Sequence, residues 1–257
     1  MSKSNSSRDR RERVEELRRQ AQADERRRTL MVVAVCAVIA LIITGIAVYA
    51  VVSKNRANDE LAARDLTDIG GSAKAAGCTS VQDEEATGAS EHVTGPVDYE
   101  LNPPAYGPHF DVTADPGLHF YRTDDRPEVE RLVHNLEHGW TIVWYDEEVA
   151  DDDKQLQELE ATGAKFDAEG QDPQFNVILA PWTSDDGEPI PEGKHIAYTH
   201  WSVHMPEFDP AVFEGPEPPP SFGASQYCDT FSGDALDEFM TAYPYDDAPE
   251  GYLWPHE

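Results

Sequence analysis

The tightest grouping of chemically able side chains is His134-Asn135-Leu136-Glu137-His138. On a helix His134 and His138 lie four residues apart on one face, a spacing that lets two imidazoles grip one ion. Written as H-x-x-E-H, the same residues match the pattern of inverted zinc peptidases, in which two His hold zinc and the Glu activates water. Those enzymes need a third ligand, and the obvious carboxylates downstream, Glu207 and Glu214, fall in a proline-rich stretch, while Gly139 stops the helix just after the second His. A bare metal site is a second expectation. The bland alternative is that both His form ordinary hydrogen bonds where helix gives way to strand, a place where the helix dipole favours a protonated imidazole.

A further histidine is presented by Asn102-Pro103-Pro104-Ala105-Tyr106-Gly107-Pro108-His109. Proline fixes φ and glycine permits unusual angles, so this turn holds His109 in a defined place at little entropic cost. The metal-site expectation is therefore His109, His134 and His138, with Glu137 as a ligand or as the group that orients one. Imidazole suits copper or zinc, and the sequence does not choose between them. His200 and His204 share a strand face; they and His92, His119, His195 and His256 stand in no ligand spacing and read as core or surface residues. No Gly-rich phosphate loop, nucleophile elbow or CxxC pair is present, so nothing implies nucleotide, flavin or haem.

The elements that must position these groups follow from periodicity. Residues 126–137 carry Val129, Leu132, Val133 and Leu136 at helical intervals, with Pro127 in the first turn. The β-branched and aromatic run 140–145 reads as a buried strand, as do 175–180 and 195–203. Residues 153–163 and 232–243 read as helices, the second with Asp234 as its cap. The run 207–221 holds too many prolines for a sheet interior and reads as a surface loop. Helices and strands mixed around one core predict an α+β or α/β sandwich with a small mixed sheet.

Residues 30–52 are 23 consecutive residues without a charge, enough to cross a bilayer core and longer than the apolar region of a cleaved signal peptide. Ten Lys and Arg among the first 29 residues predict that this end stays in the cytoplasm. The expected organisation is a basic tail over 1–29, a transmembrane helix over 30–52, a stalk over 53–76 and an extracytoplasmic domain over 77–257. After the first 29 residues the chain has ten basic and 44 acidic residues, net −34. Such a surface repels nucleic acid and suits a soluble exterior or a basic partner. Cys36 lies in the apolar run, which leaves Cys78 and Cys228 outside, where paired thiols oxidise; a Cys78–Cys228 disulfide is expected.

The motifs at 103–109 and 134–139 resemble the paired signatures P-P-x-S-G-P-H and H-N-L-E-H-G of domain-of-unknown-function family 3105, membrane-anchored proteins mainly of actinobacteria. The second signature is intact and the first departs at Tyr106, where the family carries Ser. The likeness runs from about Cys78 to Tyr243. It implies location and fold extent more than activity. Some members resemble accessory subunits on the outer face of the respiratory cytochrome bcc-aa3 supercomplex. The resemblance thus implies a non-enzymatic subunit of the plasma membrane whose partners are the lipid bilayer and cytochrome subunits.

Overall fold

Alternation along the central strands decides the architecture, because successive side chains of a strand point to opposite faces. The computed structural model describes residues 3–86, 90–169, 176–191, 193–203 and 221–251. Five strands, β1 (Gln82–Glu85), β2 (Thr141–Tyr145), β3 (Val177–Pro181), β4 (Ile196–Ser202) and β5 (Phe222–Cys228), form one sheet in the order β1-β5-β4-β2-β3. Only β2 and β3 pair in parallel; the other neighbours are antiparallel. The fold is α+β with a mixed sheet.

On one face Val143, Tyr145, Val177, Leu179, Ile196 and Tyr198 pack with Leu159 and Phe166 of α4 (Asp153–Glu169) and Leu236 and Phe239 of α5 (Gly233–Ala242). On the other, Ile142, Trp144, Ile178, Ala180, Ala197 and Trp201 pack with Val129, Leu132, Val133 and Leu136 of α2 (Val129–Glu137). The sheet is buried on both faces, which is why β2 and β3 read as unbroken apolar runs. A short helix, α3 (Glu147–Asp151), precedes α4.

Several expectations shift. The helix expected from residue 126 begins at Val129, with Glu128 as its cap. The helix expected over 153–163 runs on to Glu169, since Gly163 packs its bare Cα against Phe120. Ser232, not Asp234, caps α5: its side chain accepts from the Ala235 N–H at 3.0 Å, and Asp234 instead accepts from the Ala73 N–H at 3.1 Å. Of the expected loop 207–221, residues 207–220 lie outside the described residues, as do Phe175, His204 and His256.

The chain divides into two units, residues 1–56 and 57–257. The first consists of helix α1 (Lys3–Ala62) up to residue 56; it includes a stretch long and apolar enough, by length and composition, to cross a membrane. The stretch 53–76, expected as a stalk, contributes to the domain from residue 57 onward. Leu61, Leu66 and Ala73 pack on the core while Ile69 and Ala76 are fully buried in it, so apolar residues scattered through a polar stretch were its unnoticed signal. Cys78 and Cys228 form the expected disulfide.

Candidate functional site

The site is built on the last turn of α2 and two loop segments that converge on it. Leu136 is in the core, and the neighbouring Asn135 side chain accepts from the Ala114 N–H at 2.9 Å, which ties the loop to the helix. These contacts fix the helix so that His134 and Glu137 face away from the sheet-packed side, toward residues 92–109. Gly139 ends α2 with φ of 85°, and a β-carbon there would strike the Tyr245 carbonyl, so both backbone angle and close approach demand glycine.

His109 arrives as expected from the Pro/Gly turn. Gly107 adopts φ of 144° against the Tyr99 ring, and the Tyr99 hydroxyl donates to the Pro108 carbonyl at 2.8 Å. The Val93 N–H donates to the His109 carbonyl at 2.7 Å and the His109 N–H to the Glu91 carbonyl at 3.1 Å. This short parallel bridge sets His92 beside His109, with ring centroids 5.0 Å apart.

The result is a group of four ligand-bearing side chains, His92, His109, His134 and Glu137, whose ligand atoms all lie within 4.8 Å of one another. His109, His134 and Glu137 are buried and His92 is exposed. His138 stands just outside: it is the C-terminal cap of α2, with its Nε2 at 3.1 Å from His134 Nε2 and 3.4 Å from Glu250 Oε2. Of the four residues expected at a metal site, His109, His134 and Glu137 come together and His138 flanks them. The sequence reading missed His92 and Glu250. Neither shares a local period with α2; each is delivered by non-local pairing, His92 through the bridge to His109 and Glu250 through its N–H donated to the Glu137 carbonyl at 2.9 Å.

The protons available to this group are few. His109 Nδ1 lies 2.8 Å from the Gly107 carbonyl; a carbonyl only accepts, so Nδ1 carries a hydrogen, and when the ring is neutral Nε2 presents a lone pair. That lone pair sits 3.0 Å from Glu137 Oε2, also an acceptor, and His109 Nε2 makes no directed hydrogen bond. His134 Nδ1 is likewise buried without a partner. Either a second proton on His109, which would donate to the carboxylate, or a metal ion joins the two.

Protonating the whole group is disfavoured. Burial, then the neighbouring His109 and His138, push His134 down to about 4. Burial alone would raise the Glu137 carboxyl, but His109 and Ser90 beside it outweigh that and hold it below its usual range. Burial and the nearby Glu137 raise Glu250. The C-terminal end of α2 adds the negative end of its dipole. Three imidazoles and one carboxylate form the donor set of a four-coordinate zinc or copper(II) site.

The H-x-x-E-H reading needs Glu137 free to activate water; here its carboxylate stands among the ligand atoms. Among the described residues the remaining histidines, His119, His195 and His200, make structural contacts. His119 Nδ1–H donates to the Val177 carbonyl at 2.6 Å, His195 pairs with Asp146 at 2.7 Å, and His200 is fully buried in β4. Tyr106, the departure from the first signature, packs on Trp201 and covers Gly223.

A five-stranded mixed α+β domain with a histidine and glutamate cluster at one helix end, in a chain that also carries a long apolar helix, is the class of protein these features define. Residues 92–253 match the family described as a protein of unknown function, DUF3105, and the chain belongs to that family. No curated protein and no solved structure matches the chain.

Proposed function

We infer that this is a membrane-anchored extracytoplasmic domain that binds one divalent transition-metal ion, zinc or copper(II), through His92, His109, His134 and Glu137. The observation that carries the reading is His109 Nε2, its lone pair fixed by the Gly107 carbonyl and turned on the Glu137 carboxylate at 3.0 Å. A divalent ion satisfies both acceptors together, whereas a proton satisfies them only by charging a buried group. The four-residue group has no thiolate or thioether, the soft ligands that select copper(I). Four protein ligands make a closed site, which suits retention of the ion more than hydrolysis.

The test uses the full chain in detergent, without a polyhistidine tag, stripped by a chelator and titrated with Zn²⁺ against excess Mg²⁺ to occupy scattered carboxylates. One ion should bind, and His109→Ala or Glu137→Gln should weaken binding by roughly a hundredfold or more. Absence of a tight equivalent in the unaltered protein rejects the reading.

The charge distribution favours a second, compatible reading. A basic start, an apolar helix and a domain of net −34 suit a subunit anchored beside a larger membrane complex, with its N-terminus cytoplasmic. The family resemblance suggests the cytochrome bcc-aa3 supercomplex, where an anionic cover would assist assembly or dock a basic carrier. Mild-detergent extraction from native membranes should then yield cytochrome subunits in fixed ratio and a haem spectrum; a solitary protein removes this reading and leaves the metal site untouched.

A further inference from the structure

A hydrated divalent ion enters a site with three of its four ligands buried by stepwise exchange, each water being replaced by a protein ligand as it leaves. The structure contains a graded set of ligands that would do this. Glu250, its side chain 40 % exposed, stands at the rim with Oε2 at 3.4 Å from His138 Nε2. His138, 11 % exposed, lies next inward with Nε2 at 3.1 Å from His134 Nε2. His134 belongs to the buried group. Two ligands on one zinc, each about 2.0–2.1 Å from the ion in tetrahedral geometry, lie about 3.3–3.4 Å apart. Each successive pair along Glu250, His138 and His134 is therefore spaced to share an ion.

Glu250 is held there by more than its own side chain. Its N–H is bound to the Glu137 carbonyl, and three residues earlier the Asp247 carbonyl accepts from the Val203 N–H at 3.3 Å while the Asp247 carboxylate accepts from the Ser202 hydroxyl at 2.5 Å. Gly139 admits the Tyr245 carbonyl. The segment 245–250 thus crosses the end of α2 as a strap and delivers a second carboxylate to a site that already has Glu137.

We propose that Glu250 and His138 are the exchange port of the metal centre: they capture the incoming hydrated divalent ion and pass it, by stepwise ligand substitution across His134, to His109, Glu137 and His92. No protein bond breaks and no electron moves; waters leave one at a time as nitrogen and oxygen ligands replace them. The proposal rests on the metal-site reading above.

Its test follows Co²⁺, whose visible absorption reports the ligand set, in stopped flow with the full chain in detergent, chelator-stripped, untagged by histidines and in excess Mg²⁺. Glu250→Gln and His138→Gln should reach the same saturated spectrum and one-ion stoichiometry as the unaltered protein, but take up Co²⁺ and release it to a chelator roughly tenfold more slowly. Glu250→Asp, which keeps a carboxylate on the strap, should recover part of the rate. Unchanged rates in both neutral variants overturn the proposal, as does an altered saturated spectrum in Glu250→Gln, which would make Glu250 a resident ligand. Failure of the unaltered protein to develop the Co²⁺ band would instead reject the metal-site reading itself.

Discussion

At the residue scale the signature His134-Asn135-Leu136-Glu137-His138-Gly139 divides its labour. His134 and Glu137 face the cluster, Leu136 fills the core, Asn135 tethers the loop at Ala114, and Gly139 turns the chain under Tyr245. Most of the site was legible because those residues are local to one helix and His109 sits on a turn of fixed geometry. The rest was not, since His92 and Glu250 are placed by hydrogen bonds that no spacing announces. A buried histidine of another kind lies in β4. His200 is fully buried, touching Thr141 Oγ1 at 3.4 Å and the Asp247 carbonyl at 3.3 Å, with Asp247 and Tyr243 its titratable neighbours. Burial lowers it to about 4, against the backbone of Asp247 and Trp140. With a folded value below the unfolded one of about 6.5, the unfolded chain binds the proton first as pH falls. The neutral ring's stability contribution is complete above about pH 6.5 and is lost as pH falls toward 4, by up to about 3 kcal/mol. Denaturant unfolding of chelator-treated protein across that window should show the slope, and His200→Gln should reduce it, His134 supplying the remainder; an unchanged slope would assign the acid sensitivity elsewhere.

At the element scale, what the sequence announced was whatever is buried by a regular period. The amphipathic stripe of α2 and the apolar runs of β2, β3 and β4 were readable, because burial on both faces leaves a continuous hydrophobic record. The strands β1 and β5 were not. In β5 (FGASQYC) small residues stand where bulky ones would mark a strand, and Gly223 leaves room for the Tyr106 ring. β1 (QDEE) has no apolar residue and is exposed throughout. It is held as an edge strand by backbone pairing to β5, and its charges protect that edge from further pairing. The cap of α5 shows the same limit at smaller size. Ser232 and Asp234 are both capping types, and the choice falls to Ser232 because the backbone of Gly70 and Gly71 pairs with that segment and leaves Asp234 to hold Ala73. Local sequence offered two caps and a distant chain segment selected one.

At the scale of the whole molecule, the disulfide joins the beginning of the domain to the end of its sheet. Around it the Thr79 N–H donates to the Tyr227 carbonyl and the Asp229 N–H to the Ala76 carbonyl, both at 2.8 Å, and Lys194 Nζ bridges the Gly77 carbonyl and Asp229. A link spanning 150 residues contributes on the order of 4–5 kcal/mol in the chain-entropy picture, enough to matter in a domain of ordinary marginal stability. The same bond makes the compartment measurable. Cytoplasmic thiols stay reduced, whereas those outside oxidise, and Cys36 is the one remaining cysteine. Protein taken from its native membranes under acid quench, denatured without reductant and treated with a mass-tagged maleimide, should gain one adduct, at Cys36, and three after reduction. One adduct turning to three places Cys78 and Cys228 on the oxidising side, which is where an anchor with a basic cytoplasmic start would deliver them. Three adducts without reduction would put the domain in the cytoplasm, reverse the orientation argued from charge, and expose the histidine cluster to a different supply of metal ions.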